Sequence, residues 1–218
     1  MRRHAPLPST TVTIETGTVT LQGILGVPPH PRGIVLFAHG SVSGRLSPRN
    51  AFVAGALREV GLATLLFDLL SEAEAEDRRR VFDIPLLARR LRTAAEWVRN
   101  DARTCDLPIA YFGASTGAAA ALVAAADDPA IVAVVARGGR PDLAEDALPA
   151  VRAPTLLLVG SEDGPVIGMN QWAIGRLRCE KHLTIVPGAG HLFEEPGTLE
   201  LVVAHAIEWY RRHLPSVG

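Results

Sequence analysis

The sequence predicts an α/β fold in which a mostly parallel sheet is covered by helices on both faces. Three observations lead there. Six short apolar runs, Ile34–Ala38, Ala63–Phe67, Pro108–Phe112, Ile131–Ala136, Thr155–Val159 and Leu183–Val186, lack the polar alternation of a half-exposed strand. Strands buried on both faces read this way. Longer stretches with helical character lie between them, near residues 48–60, 83–100, 116–126, 166–177 and 198–213. Such strand–helix alternation is the mark of a parallel sheet in an α/β domain. Residues 11–25 alone alternate apolar and polar side chains, around Gly17, as two antiparallel strands joined by a turn do.

Taken in order, the helices differ in character. Stretch 83–100 is amphipathic: Ile84, Leu87, Leu91, Ala94, Ala95 and Val98 share one face, while Arg89, Arg92, Glu96 and Arg99 lie towards water. The segment before it, Glu72 to Arg80, runs from acids to arginines and reads as a solvated loop, with a docking patch as the alternative. Stretch 116–126 is rich in alanine, so its helix can lie close to the sheet. No repeat, linker or shift in composition divides the chain, and one domain over residues 1–218 is expected.

Composition removes several classes of function. A formal net charge of −1 offers no basic footprint for nucleic acid. No run of 18 apolar residues is present, so no membrane-spanning helix is expected. Arg2 and Arg3 are followed by prolines and hydroxyl residues rather than an apolar segment, which is no secretory signal. The expectation is a cytoplasmic protein acting on a small molecule, with neither nucleic acid nor membrane as partner and an oligomeric state left open. Lys181 is the only lysine among 22 Lys and Arg residues, and it opens an apolar run as a solvated strand end. That sets aside a phosphate-binding Gly-Lys-Ser/Thr loop and Schiff-base chemistry. Cys105 and Cys179 lack paired spacing and read as buried or half-buried free thiols, with no metal site implied.

In a parallel sheet the chemistry gathers at the carboxyl ends of the strands. After Pro108–Phe112 comes Gly113-Ala114-Ser115-Thr116-Gly117, the G-x-S-x-G pattern in a strand–turn–helix setting. Ser115 then needs a strained turn with positive φ. Gly113 and Gly117 remove side chains where strand and helix approach, and the helix N-terminus faces the site of developing negative charge. A serine nucleophile needs a base oriented by an acid. Gly160-Ser161-Glu162-Asp163 follows Thr155–Val159, and Pro187-Gly188-Ala189-Gly190-His191 follows Leu183–Val186. Asp163 is preferred to Glu162 as the acid, and His191 to the remaining histidines as the base. Asp68 reads as a structural loop residue or a reserve acid, and His39 as a hydrogen-bonded residue holding its loop. For the oxyanion, Thr116 N–H is one donor. Ser41 or Val42 N–H, in the loop after Ile34–Ala38, is the other.

These motifs resemble the α/β-hydrolase superfamily over nearly the whole chain, and within it the dienelactone-hydrolase-like branch. The resemblance implies a three-layer sandwich around an eight-stranded, mostly parallel sheet whose second strand is antiparallel. It also implies Ser115, Asp163 and His191 as a triad, and an acyl-enzyme mechanism that uses no cofactor. Dienelactone hydrolases proper carry cysteine where this chain has Ser115. Only residues 137–154 separate the strands between which many relatives insert a lid, so no lid domain and an open, shallow site are expected. Arg137 is a candidate to bind a substrate carboxylate or phosphate, or else to pair with Asp142 or a neighbouring loop. Met169, Trp172 and Phe193 are candidates to line an acyl pocket or to pack in the core. The expected activity is hydrolysis of small carboxylic esters. A thioesterase, acyltransferase or perhydrolase with the same triad, or a non-catalytic binding protein of the same fold, stands as the alternative.

Overall fold

A computed structural model of the chain describes residues 9–17, 19–40 and 44–214. Eight strands form one sheet: β1 (Ser9–Glu15), β2 (Thr20–Gly26), β3 (Ile34–Ala38), β4 (Ala63–Phe67), β5 (Ile109–Ala114), β6 (Ile131–Arg137), β7 (Thr155–Gly160) and β8 (Lys181–Val186). Their order across the sheet is β1-β2-β4-β3-β5-β6-β7-β8. β2 is antiparallel to both β1 and β4, and every other pairing is parallel. The helices are α1 (Pro48–Glu59), α2 (Glu72–Ala75), α3 (Arg78–Val81), α4 (Ile84–Asn100), α5 (Thr116–Asp127), α6 (Gly164–Arg176) and α7 (Thr198–His213), with a 3₁₀ segment over Pro141–Ala150.

The period-two alternation of each buried strand divides its side chains between two apolar layers. Ile34, Leu36 and Ala38 of β3 pack with Leu87, Leu91 and Ala94 of α4. Val35 and Phe37 pack on the other side with Val53 and Leu57 of α1 and with Val202 and Tyr210 of α7. This is the three-layer sandwich expected from the sequence, and among the described residues no lid domain interrupts it. Helix starts are set locally. Asp83 caps α4 by accepting the Leu86 N–H at 2.9 Å, and Pro85 occupies the first turn, where no amide is needed. Among the described residues no helix is long and apolar enough to cross a membrane.

Three expectations are corrected. The Glu72–Arg80 segment is two short helices rather than a loop. Ser71 and Glu74 form a capping box at α2, and Glu74 pairs with the buried Arg90 of α4 at 3.1 Å. A run of acids followed by arginines hides such order because its partner lies in another helix. β8 is an edge strand in which only Val186 is buried and the other side chains are exposed or half-exposed, so an apolar run alone did not distinguish a central strand from an edge. Cys105 is exposed, whereas Cys179 is half-buried; both are free thiols.

Candidate active site

β5 ends in Ala114, and the chain turns at once into α5. Ser115 stands at the turn with φ 51° and ψ −125°, a backbone conformation that non-glycine residues adopt rarely and at a cost. The neighbouring packing enforces it. A Cβ on Gly117 would lie 2.0 Å from the Ala38 carbonyl oxygen, and one on Gly113 would lie 2.6 Å from Ala118 Cα. The Ser115 carbonyl is occupied by the N–H groups of Ala118 at 3.1 Å and Arg140 at 3.0 Å. Ser115 makes no side-chain cap on α5, so its hydroxyl is not engaged in capping the helix. The first amides of α5, beginning with Thr116, point where a helix N-terminus attracts negative charge.

The acid and the imidazole arrive on two loops that are joined. The Ser161 N–H donates to Val186 O at 3.0 Å and the Glu162 N–H to Ala189 O at 2.9 Å. Gly188 N–H donates in return to Ser161 Oγ at 2.8 Å. Ser161 was not among the residues singled out from the sequence; a serine before two acids gives no local sign of this bridge. Asp163 is the N-cap residue of α6 but makes no side-chain cap. Its carboxylate is instead 2.7 Å from His191 Nδ1. Glu162 turns away and accepts from Ser161 Oγ at 3.0 Å, so the geometry favours Asp163 as the partner of the imidazole. The Asp163 side chain is 11% exposed and that of His191 is 40% exposed, so the acid is sheltered while the imidazole stays partly accessible. His191 and Ser115 do not form a hydrogen bond here, and catalytic contacts of this kind often tighten only in the complex with substrate.

The loop after β3 contributes Gly40, whose position is set by Ser115: a Cβ there would meet Ser115 Cβ at 2.6 Å. Ser41 and Val42, the expected second oxyanion donors, lie outside the described residues. His39 anchors the start of this loop. Its Nε2 accepts the Leu69 N–H at 2.9 Å, so the proton sits on Nδ1 and is donated to the Gly40 carbonyl at 2.9 Å. Desolvation lowers the His39 pKa, which suits this neutral tautomer. Asp68 accepts from the Arg45 N–H at 2.7 Å and pairs with the Arg45 guanidinium, a structural role.

A cleft of about 700 Å³ opens beside Gly40 and Thr116, lined by Leu21, Leu69, Leu70 and Val81. Its wall is the α2–α3 segment. The residues of that wall come from between β4 and α4 rather than after β6. The residues expected to line an acyl pocket lie elsewhere. Phe193 is 1% exposed and packs in the core layer under α7. Trp172 is 43% exposed on α6 with the Arg176 guanidinium 4.4 Å from its ring centre. Met169 is half-buried on the same helix and does not line the cleft. Arg137 does not pair with Asp142, which is held by Arg140 at 2.7 Å. It is buried beneath α1 with Asn50 Oδ1 at 3.5 Å.

This topology, with a serine at a strained strand-to-helix turn and an Asp–His pair at the same sheet edge, defines an α/β-hydrolase. No family model matches the chain. A dienelactone hydrolase from Anabaena variabilis ATCC 29413 is 52% identical, with a TM-score of 0.92 over 97% of this chain and 100% of that one. The chain belongs to the dienelactone-hydrolase-like branch of the superfamily. A serine hydrolase without a lid from Xanthomonas campestris shares the fold, at 22% identity and a TM-score of 0.78 over 100% of both chains. A Mycobacterium tuberculosis H37Rv protein bearing the name of a phosphoribosyl transferase is 54% identical over 214 residues, which are 98% of this chain and 48% of that protein. The chain thus spans about half the length of the curated relatives it matches. The family relationship supports hydrolase chemistry.

Proposed function

We propose that the protein is a serine hydrolase that cleaves small carboxylic esters through an acyl-enzyme on Ser115. The observation that carries this reading is the 2.7 Å pairing of His191 Nδ1 with Asp163, at the sheet edge that also presents Ser115 in its φ 51° turn. In the first step Ser115 Oγ attacks the ester carbonyl while its proton passes to His191 Nε2. Asp163 accepts the Nδ1–H, which holds the tautomer and stabilises the imidazolium. The tetrahedral intermediate collapses as His191 returns the proton to the departing alcohol. Water, deprotonated by the same base, then attacks the acyl carbonyl and releases the acid and free Ser115. The Thr116 N–H is one oxyanion donor, and the loop carrying Ser41 and Val42 supplies the second. One such donor is worth about 3–4 kcal/mol of barrier in serine hydrolases. The apolar wall of Leu69, Leu70 and Val81 beside Thr116 suits the acyl group. The mycobacterial relatives that bear a phosphoribosyl transferase name are about twice as long as this chain. A fluorophosphonate probe is expected to label Ser115, and Ser115→Ala to abolish turnover of p-nitrophenyl acetate; undiminished turnover in that variant would overturn the mechanism.

A further inference from the structure

Arg137 is the last residue of β6 and pairs in register with Ala114, the residue before Ser115. Ala133 and Val135 face α1 and α7, and the alternation carries Arg137 to the same side. There it is only 7% exposed, beneath the first turn of α1, with Asn50 Oδ1 at 3.5 Å. Its Nη1 is buried with no hydrogen-bond partner, and so is the Nε of Arg49 on the same turn of α1. A buried guanidinium is ordinarily satisfied by an acid, because removing its hydration without replacement is costly. The buried Arg90 follows that rule through Glu74 at 3.1 Å. Arg137 does not follow it: among the described residues it makes no ion pair, and Asp142 is committed to Arg140. Arg49 spends Nη1 on the exposed Glu194 at 2.6 Å and leaves Nε turned inward. Burial and the nearby Arg49 charge push the Arg137 pKa down to about 10, so it stays cationic at neutral pH.

Resting on the hydrolase reading above, we propose that Arg137 and Arg49 form a subsite for a phosphate group carried by the ester substrate. Arg137 contributes one uncompensated charge, and the N-terminus of α1 adds about half a positive charge. A phosphate monoester carries about −1.5 to −2 near pH 7, which matches that sum more closely than a carboxylate does. Its three oxygens also accept from donors on two different elements, β6 and α1, whereas a planar carboxylate is served by one guanidinium fork. Ala114, in register with Arg137, immediately precedes Ser115, and Thr116, which immediately follows it, lines the apolar cleft, so the ester would reach from one to the other.

The test uses three matched 4-nitrophenyl esters: 4-phosphonobutanoate, the glutarate half-ester with a free carboxylate, and its neutral methyl ester. The full chain is expected to favour the phosphonate over the neutral ester by about tenfold or more in kcat/KM, with the carboxylate between them. Arg137→Met should erase that ratio, and Arg137→Lys should retain part of it. A ratio near one in the wild type, or one unchanged in Arg137→Met, would overturn the proposal; a carboxylate preferred to the phosphonate would overturn the phosphate assignment. If Arg137→Met does not fold, the same ratio is read in Arg49→Gln and Arg137→Lys. Calorimetric binding of inorganic phosphate to the Ser115→Ala protein, with Arg137→Lys as its control, tests the subsite without turnover. Phosphate binding with no hydrolysis of any ester would sink the hydrolase reading alone, while hydrolysis without a charge preference or phosphate binding would sink the subsite alone.

Discussion

Replacing Gly160 by alanine tests whether the union of the acid loop and the histidine loop holds the site together. A Cβ at position 160 would lie 2.1 Å from the Ala189 carbonyl oxygen and 2.7 Å from that of Gly190. Ordinary contact starts near 3.4 Å, so backbone must retreat by about 1.3 Å. The 187–191 loop has little freedom to do so alone, because Ser161, Glu162 and Gly188 tie it to the end of β7. A displacement of that size would stretch the 2.7 Å Asp163–His191 contact beyond hydrogen-bond length. The expected outcome is a fall in kcat/KM of about a hundredfold, since a 1 Å misplacement of a reacting group costs that much. A stability loss of about 1–3 kcal/mol from overpacking should accompany it. Gly168→Ala is the control: it sits exposed inside α6 with nothing within 4 Å of the new methyl. That change should leave turnover intact and add about 0.5–1 kcal/mol of stability. Urea unfolding and p-nitrophenyl acetate kinetics on both variants provide the readout. Wild-type turnover in Gly160→Ala would refute the claim that this close approach sets the His191 position.

Three further predictions follow from the same geometry. Asp163→Asn should lower kcat by about 10⁴ with little change in fold, as loss of the tautomer-holding acid does in serine proteases, while Glu162→Gln should remain near wild type; equal losses in the two would remove the basis for choosing Asp163. Phe193→Ala should cost about 3–5 kcal/mol because the ring is fully packed, whereas the exposed Trp172 should tolerate alanine; a change in acyl preference without destabilisation at position 193 would restore it as a pocket residue. The His39 pKa is lower in the fold than in the unfolded chain, so unfolded molecules bind more protons and stability rises with pH. The contribution is present above about pH 6.5 and is lost as pH falls through the lower folded value, breaking the bond from Leu69 N–H. Thermal melts from pH 7.5 to 5 should therefore fall more steeply for wild type than for His39→Gln, and parallel slopes would contradict this.

Much of the scaffold was legible because strand burial and helix amphipathicity leave local periodic traces. The runs at Ile34, Ala63, Ile131 and Thr155 begin β3, β4, β6 and β7 where their apolar patterns begin. The turn at Ser115 was legible for a related reason, since the steric demand of a strand-to-helix reversal selects glycine at fixed offsets. Less could be read where order depends on a distant partner. The α2–α3 wall is held by Arg90, reached from another helix, and its own sequence resembles a solvated charge run. Phe193 and Trp172 are both large and apolar in sequence, and only their neighbours separate a core ring from a surface one.

By itself, then, the sequence determined the layered α/β architecture, the strained position of Ser115 and the short list of acids and imidazoles at the strand ends. Each of these is written in local spacing, which acts over a few residues. Tertiary structure set Asp163, and not Glu162, 2.7 Å from His191, opened the cleft on the α4 side and, among the described residues, left Arg137 buried without an acid. Those outcomes turn on which side chains meet across the fold, and the meeting is set by packing between elements that lie far apart along the chain.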